Sequence, residues 1–364
     1  MLKRLVSTAL LIVIITPVAL AQSPPERPGD RTGASIAAEA TRLKGVLNSL
    51  KLPDADGETY AGHFSRVERA RQSGHVFLSL FLLHPSAATL PAIEYQKSRA
   101  DVEKGGLDAL EREWKRLGGA LAEKERLLTA SPARRSPLVV QAMLERALTQ
   151  VQPHYQSGRL YGEQWTVEAG LFYLGRAKAQ LEFALFCRGL DAVASGAAPS
   201  LRSLAPELEE LEREVMQSYR RLGAADQDNA FIRINASLKV AQDLERERRF
   251  GGALLQYLEV FRALEAVNSM PADSLAPDAL KTLSESFRAQ LSGRKTDHSV
   301  GWLYWQMAQA ALESGDANDQ KQAAVILHHV APRYFKYMAR LKEGPAPKVV
   351  AREVTVTLAR WPYT

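Results

Sequence analysis

The chain carries a single cysteine, Cys187, in 364 residues. One thiol can close no internal disulfide, so the fold must hold by packing alone. Cys187 lies in the apolar stretch LEFALFCRGL, where it reads as a small buried hydrophobe and not as a nucleophile. Metal-ligand spacings are missing as well: the seven histidines form no HExxH, no HxxxH and no Cys/His cluster. His63 and His75 stand on one expected helix but about 18 Å apart along its axis. The adjacent His328 and His329 diverge by about 100° on a helix. There is no GxSxG, no P-loop and no GxGxxG after a strand. Ser292-Gly-Arg-Lys295 matches SxxK in form but lacks the companion SDN and KTG elements. Carboxylates such as Glu285 and Glu313 stand in polar, amphipathic contexts that suit solvated faces. The expectation is therefore no catalytic residue, no metal and no cofactor.

Charge of one sign is also scarce. Lys plus Arg is 47 against Asp plus Glu 41, a formal +6. The runs ELEELERE and ERERR mix both signs, as solvated helix faces do, and do not make a nucleic-acid footprint. Long apolar runs are missing beyond the start of the chain, so no later segment reaches the ~18 residues a membrane span requires.

What is present begins with MLKRLVSTALLIVIITPVALA, which combines Lys3 and Arg4, an apolar run from Ala9 to Ile15 and a small-x-small site at Ala19-Leu20-Ala21. This is the pattern of a cleavable signal peptide, residues 1–21, cut after Ala21. Loss of Lys3 and Arg4 leaves the mature chain at +4. The expected location is periplasmic or secreted, without a membrane span. Residues 22–34, rich in proline, glycine and charge, read as a disordered leader.

From there helical periodicity dominates. Leu204, Leu208, Leu211, Val215, Tyr219 and Leu222 recur at steps of three and four on one stripe, with Glu and Arg opposite. Comparable patterns predict helices over 35–50, 59–83, 91–104, 107–128, 137–152, 166–194, 206–222, 229–248, 250–268, 274–291, 299–314 and 319–341, with breaks at proline or glycine. The fold class is all-α, with short turns that favour stacked antiparallel hairpins. The tail 353–361, EVTVTLARW, alternates like a short strand.

In VAQDLERERRFGGALLQYLEV, small Ala241 is followed by Leu244, Phe250, small Ala253 and Tyr257. That order resembles the helix-turn-helix of a tetratricopeptide repeat, in which small residues let two helices approach and large ones fill the groove. Leu174-Gly175 would mark a second such crossing with 206–222 as partner helix, and 302–311 with 319–341 a third. The resemblance implies a TPR-like α-solenoid, or an irregular helical array, over 165–342. It leaves 35–164 as a separate helical region and 343–364 as an extended tail.

The densest aromatic cluster is VGWLYW, followed on a later helix by RYFKY. Trp, Tyr and Arg are the residue types that dominate binding hot spots. Trp302, Tyr304, Trp305, Arg333 and Tyr334 are accordingly the candidate contacts for a protein or peptide partner, with the C-terminal strand as a second docking element. The expectation is an exported, non-catalytic binding or scaffold module of the cell envelope that takes no nucleic acid. Two alternatives differ in what they require. An envelope-polymer enzyme needs two facing carboxylates in a pocket, and an apolar-ligand carrier needs a closed cavity lined by Leu, Phe and Met.

Overall fold

A computed structural model describes residues 28–130, 136–190, 196–222, 228–268, 276–292 and 294–343. The segment expected to be a signal peptide, 1–21, and the tail expected to be strand-like, 353–361, lie outside the described residues. In chain order the helices are α1 (Pro28–Leu50), α2 (Asp54–Gln72), α3 (Val76–Lys97), α4 (Ala100–Lys104), α5 (Gly106–Ala130), α6 (Leu138–Gln164) and α7 (Val167–Gly189). There follow α8 (Ala205–Leu222), α9 (Asp228–Arg246), α10 (Phe250–Val267), α11 (Pro277–Ser292), α12 (Ser299–Ser314), α13 (Ala317–Val325) and α14 (Ala331–Glu343). The chain is all-α. Among the described residues, extended pairing is limited to one isolated parallel bridge between Ala197 and Thr296.

Proline is where the sequence pattern and the fold part company. Pro85 and Pro91 lie inside α3, and Pro153 lies inside α6, whereas the pattern places Pro85 and Pro153 outside a helix and Pro91 at the start of one. A proline in a helix interior costs about 3 kcal/mol. In α3 the burial of Leu78, Leu80, Leu83 and Leu90 outweighs that cost, since each large apolar side chain contributes roughly 1.5–3 kcal/mol. α3 has an 18-residue window of mean hydropathy 1.7, apolar enough to cross a membrane, yet 61% of that window is buried inside the fold. It is a core helix by packing. α1 likewise opens at Pro28, inside the stretch expected to be leader, and Thr32 is already buried there.

Other ends follow their local chemistry. Thr166 caps α7 by accepting the Ala169 N–H at 3.0 Å, and Gly315 ends α12 in the left-handed region at φ +70°. Between α13 and α14 the chain widens into a π-turn, Ile326–Val330, just ahead of Pro332. Pro332 has no N–H to continue the ladder, and a wide turn relieves that break.

The centre of the molecule is α7, which packs against both α6 and α3 while those two barely touch each other. Glycine sets the closeness of this crossing. A Cβ on Gly170 would stand 2.7 Å from the Gly158 carbonyl oxygen and 2.9 Å from the Gly162 Cα, and one on Gly175 would stand 2.7 Å from the Ala92 carbonyl oxygen. Gly175 thus marks a helix crossing as its sequence context suggests, but the partners of α7 are α3 and α6. α8 packs instead on α9 and α10. The α9–α10 hairpin forms as expected, its turn closed by Arg248 at φ +60° and by the Arg249 N–H donating to the Leu244 carbonyl at 2.9 Å. Cys187 is fully buried, and that burial pushes its thiol far up in pKa.

Candidate functional site

The aromatic cluster singled out by the sequence is largely absorbed by the core. Tyr304 and Tyr334 are 0% exposed. The Tyr304 hydroxyl donates to Glu259 at 2.9 Å, and the Tyr334 hydroxyl lies 2.7 Å from His298 Nδ1. Trp302 and Trp305 keep partial exposure, but both pack on the core with ring centroids 5.4 Å apart, and Trp305 Nε1 donates to the Ser284 carbonyl at 3.2 Å. Arg333 lies 4.3 Å above Phe261, donates to both oxygens of Glu214 at 3.0 Å, and reaches the Tyr257 hydroxyl at 2.5 Å. Burial pushes that Tyr257 hydroxyl up to about 12. Tyr304 and Tyr334 therefore cannot touch a partner, and Arg333 is spent on joining α14 to α8 and α10.

Two carboxylates do meet in one cleft. A space of about 220 Å³ between the start of α6, the α9–α10 turn and the segment before α8 is lined by Leu138, Glu145, Pro199, Arg248, Phe250 and Asp297, among others. Glu145 accepts the Gly252 N–H at 2.7 Å and the Gln141 amide at 2.8 Å. Asp297 accepts the Leu138 N–H at 2.6 Å and the Ser299 N–H at 2.8 Å. Each carboxylate thus holds the amino end of a neighbouring helix, where unpaired N–H groups and the helix dipole favour a negative charge. Gly251 and Gly252 let α6 come close enough for this, since a Cβ on Gly252 would stand 2.8 Å from Leu244 and 3.1 Å from Glu145. Burial raises the Glu145 carboxyl, against the opposing pull of the Gly252 N–H. The pair is explained by helix capping.

A different set of rings faces outward on the α6–α7 hairpin. Trp165, just beyond the end of α6, is 71% exposed. Its ring stands 4.9 Å from Tyr161, which stacks on Tyr173 at 4.6 Å, and Tyr173 lies 6.0 Å from His154 and 5.7 Å from Phe172. His154 and Tyr161 stand seven residues apart on one face of α6, Trp165 follows four residues later just past the helix end, and Phe172 and Tyr173 come from α7. The two helices run antiparallel with Gly158 against Leu174 and Gly162 against Gly170. The ladder is therefore held by a close, glycine-lined helix crossing.

No protein-family model, curated protein or solved structure matches the chain.

Geometry alone therefore carries the functional reading. Where the ladder ends, Arg176 begins, with its guanidinium 5.9 Å from the Phe172 ring. Farther along the same seam lie His84, bonded to Gln180 at 3.0 Å, and Arg146, which lies 6.0 Å from the Phe81 ring. His84 is pushed down to about 3, first by burial and then by the Arg146 charge, with Arg176 adding to it; His154 is pushed down to about 4 by burial and by Arg176. Both imidazoles are neutral at pH 7. Among the described residues no three His, Cys, Asp or Glu side chains converge as metal ligands.

Proposed function

We propose that this chain is an exported, non-catalytic binding module of the cell envelope. In this reading its helical hairpins stack in a TPR-like array in the second half, and the signal segment delivers it to the periplasm or the exterior. It takes a protein or peptide partner along the Trp165–Tyr161–Tyr173 ladder. The observation that carries the docking surface is Trp165, a large aromatic 71% exposed at the head of a ring stack that is otherwise braced by the fold. Tryptophan and tyrosine on a rigid hairpin offer apolar contact area at little entropic cost, which is the physics of interface hot spots.

The competing readings ask for different features. A hydrolase would use Glu145 and Asp297, but their oxygens hold helix ends. A carrier of apolar ligands would need an enclosed apolar cavity, whereas the cleft beside Glu145 and the groove between α1 and α2 are both lined by charged side chains. The deciding experiment is a pull-down from envelope extract with the mature chain, a Trp165→Ala/Tyr161→Ala variant and a Trp302→Ala variant. Loss of the captured partner with the first variant alone supports the ladder. Equal recovery by all three overturns it.

A further inference from the structure

Two arginines whose charge burial disfavours, Arg146 and Arg176, lie on one seam. Arg176 makes no hydrogen bond and no ion pair among the described residues, and its Nε is buried without a partner. The His154 Nε2 is likewise buried without a partner. Arg146 has neither a hydrogen bond nor an ion pair within reach among the described residues; the nearest carboxylate whose charge it feels, Glu259, is already engaged by Arg262 at 3.0 Å and by Tyr304 at 2.9 Å. A desolvated guanidinium without a counter-charge is costly, and folds rarely keep one for stability.

The unpaired groups also stand together. From the glycine contacts, residues of α6 and α7 whose numbers add to the same value face each other, which puts His154 opposite Lys178. Arg176 is then about 3 Å along the axis from His154 at ~1.5 Å per residue. Arg146, on the same scale, lies roughly 15 Å farther along, and His84 between them feels both charges. Arg176, Tyr173, Phe172 and Tyr60 all keep partial exposure, so the rim of the Arg176 end meets solvent while the Arg176 Nε and the His154 Nε2 lie beneath it.

We propose that Arg176 and His154 form a binding site for an oxyanion, a carboxylate or a phosphate group, carried on an apolar or aromatic body that lies over Tyr173 and Phe172. The terminal Nη groups of Arg176, which no hydrogen bond or ion pair engages among the described residues and which are not covered as its Nε is, supply charge-assisted donors, and the buried Arg176 Nε–H and His154 Nε2 stand behind them as further polar groups without partners. Arg146 reinforces the positive potential from the far end of the seam. The flanking rings give the body of the ligand a flat surface, as aromatic platforms do in other sites. This site would bind its ligand whether or not a protein docks at Trp165.

The test uses the mature full-length chain and two probes, inorganic phosphate and indole-3-acetate, followed by calorimetry and by NMR of the Arg176 Nε–H and His154 ring signals. Saturable binding that moves those signals is expected, with at least a tenfold loss of affinity in Arg176→Met and partial recovery in Arg176→Lys. Tyr173→Ala should weaken indole-3-acetate and leave phosphate unchanged. Preference for indole-3-acetate would identify a carboxylate on a ring, and preference for phosphate a phosphorylated ligand. Binding that leaves the Arg176 and His154 signals unmoved overturns the proposal even if a variant fails to fold, and so does absence of saturation with both probes. Trp165→Ala should leave both titrations unchanged, which separates this site from the docking ladder.

Discussion

Arg146 and Arg176 on the α6–α7 hairpin and the ion-paired arginines of the C-terminal helices do opposite things. In the C-terminal part, Arg262 pairs with Glu259 at 3.0 Å, Arg333 with Glu214 at 3.0 Å and Arg340 with Glu207 at 2.5 Å. Each joins segments or braces a helix, and the aromatic rings around them face inward. On α6 and α7, Arg146 and Arg176 lie near phenylalanine rings at 6.0 and 5.9 Å with no carboxylate bonded to them among the described residues, and the neighbouring tyrosines and tryptophan keep part of their surface exposed. Where arginine has its counter-ion within the chain it works as a clamp. Where it lacks one, the chain bears a desolvation cost that a ligand can offset.

The contrast can be broken most severely at the crossing that supports the outward face. Gly170→Val places a branched side chain where a Cβ alone would stand 2.7 Å from the Gly158 carbonyl oxygen. Backbone on both sides leaves nothing flexible to move, so the expected loss is about 4 kcal/mol or more, at the upper end for single substitutions. A thermal melt followed by circular dichroism would show it, and a native-like melting temperature would mean that the crossing is looser than the contacts indicate. Next in size, Arg333→Met removes three donors and strands Glu214, with an expected cost of roughly 2–3 kcal/mol. Arg176→Met strands nothing and should leave stability unchanged or raise it slightly. Comparable losses in the two variants, measured by urea unfolding, would erase the distinction between clamp and ligand site.

Much of this was legible in the sequence. Stripes of Leu and Val at steps of three and four give α8 and its neighbours, and α12 begins and ends where its apolar run and Gly315 indicate. The buried single cysteine follows from its apolar setting. The ladder was not legible, for a specific physical reason. His154, Tyr161 and Trp165 make a clear stripe, but they follow Pro153, and proline signals the end of a helix. Once the helix was taken to stop at residue 152 the stripe had no helix to lie on. Pairing was hidden too, because local pattern shows that Arg176 and Arg333 are arginines and only the tertiary fold shows that one has met a carboxylate. The VGWLYW cluster misled for the converse reason: an all-round aromatic helix is what burial on two sides requires.

A smaller effect sharpens the comparison through pH. His84 sits between the two unpaired arginines with a pKa of about 3 in the folded chain, against ~6.5 when unfolded. The unfolded state therefore takes up a proton that the folded state refuses, so this contribution to stability is complete well above pH 6.5 and is lost as pH falls toward 3. Between pH 8 and 5 the loss is about 2 kcal/mol for His84, and His154 acts in the same direction. Glu113 is different: burial would raise it, but hydrogen bonds from Arg116, Tyr95 and Arg99 hold it at about 2, so its contribution begins to fall only below about pH 4.5. Urea midpoints at pH 7, 6 and 5 would separate the two, and His84→Gln should flatten the upper part of the curve. An unchanged slope in that variant would place the titrating group elsewhere.

The smallest effect on stability is expected where the effect on function is largest. Trp165 is 71% exposed and rests on Tyr161 with one face, so Trp165→Ala should cost under about 0.5 kcal/mol, as for surface positions away from special features. The same change removes the most accessible ring of the ladder, and truncation of a central hot spot typically weakens binding by 2 kcal/mol or more. A partner bound through the ladder would then be lost from a chain whose melting temperature has hardly moved. If Trp165→Ala instead destabilised the fold as much as Arg333→Met does, its ring would be bracing the α6–α7 turn, and the outward face would belong with the inward one as packing.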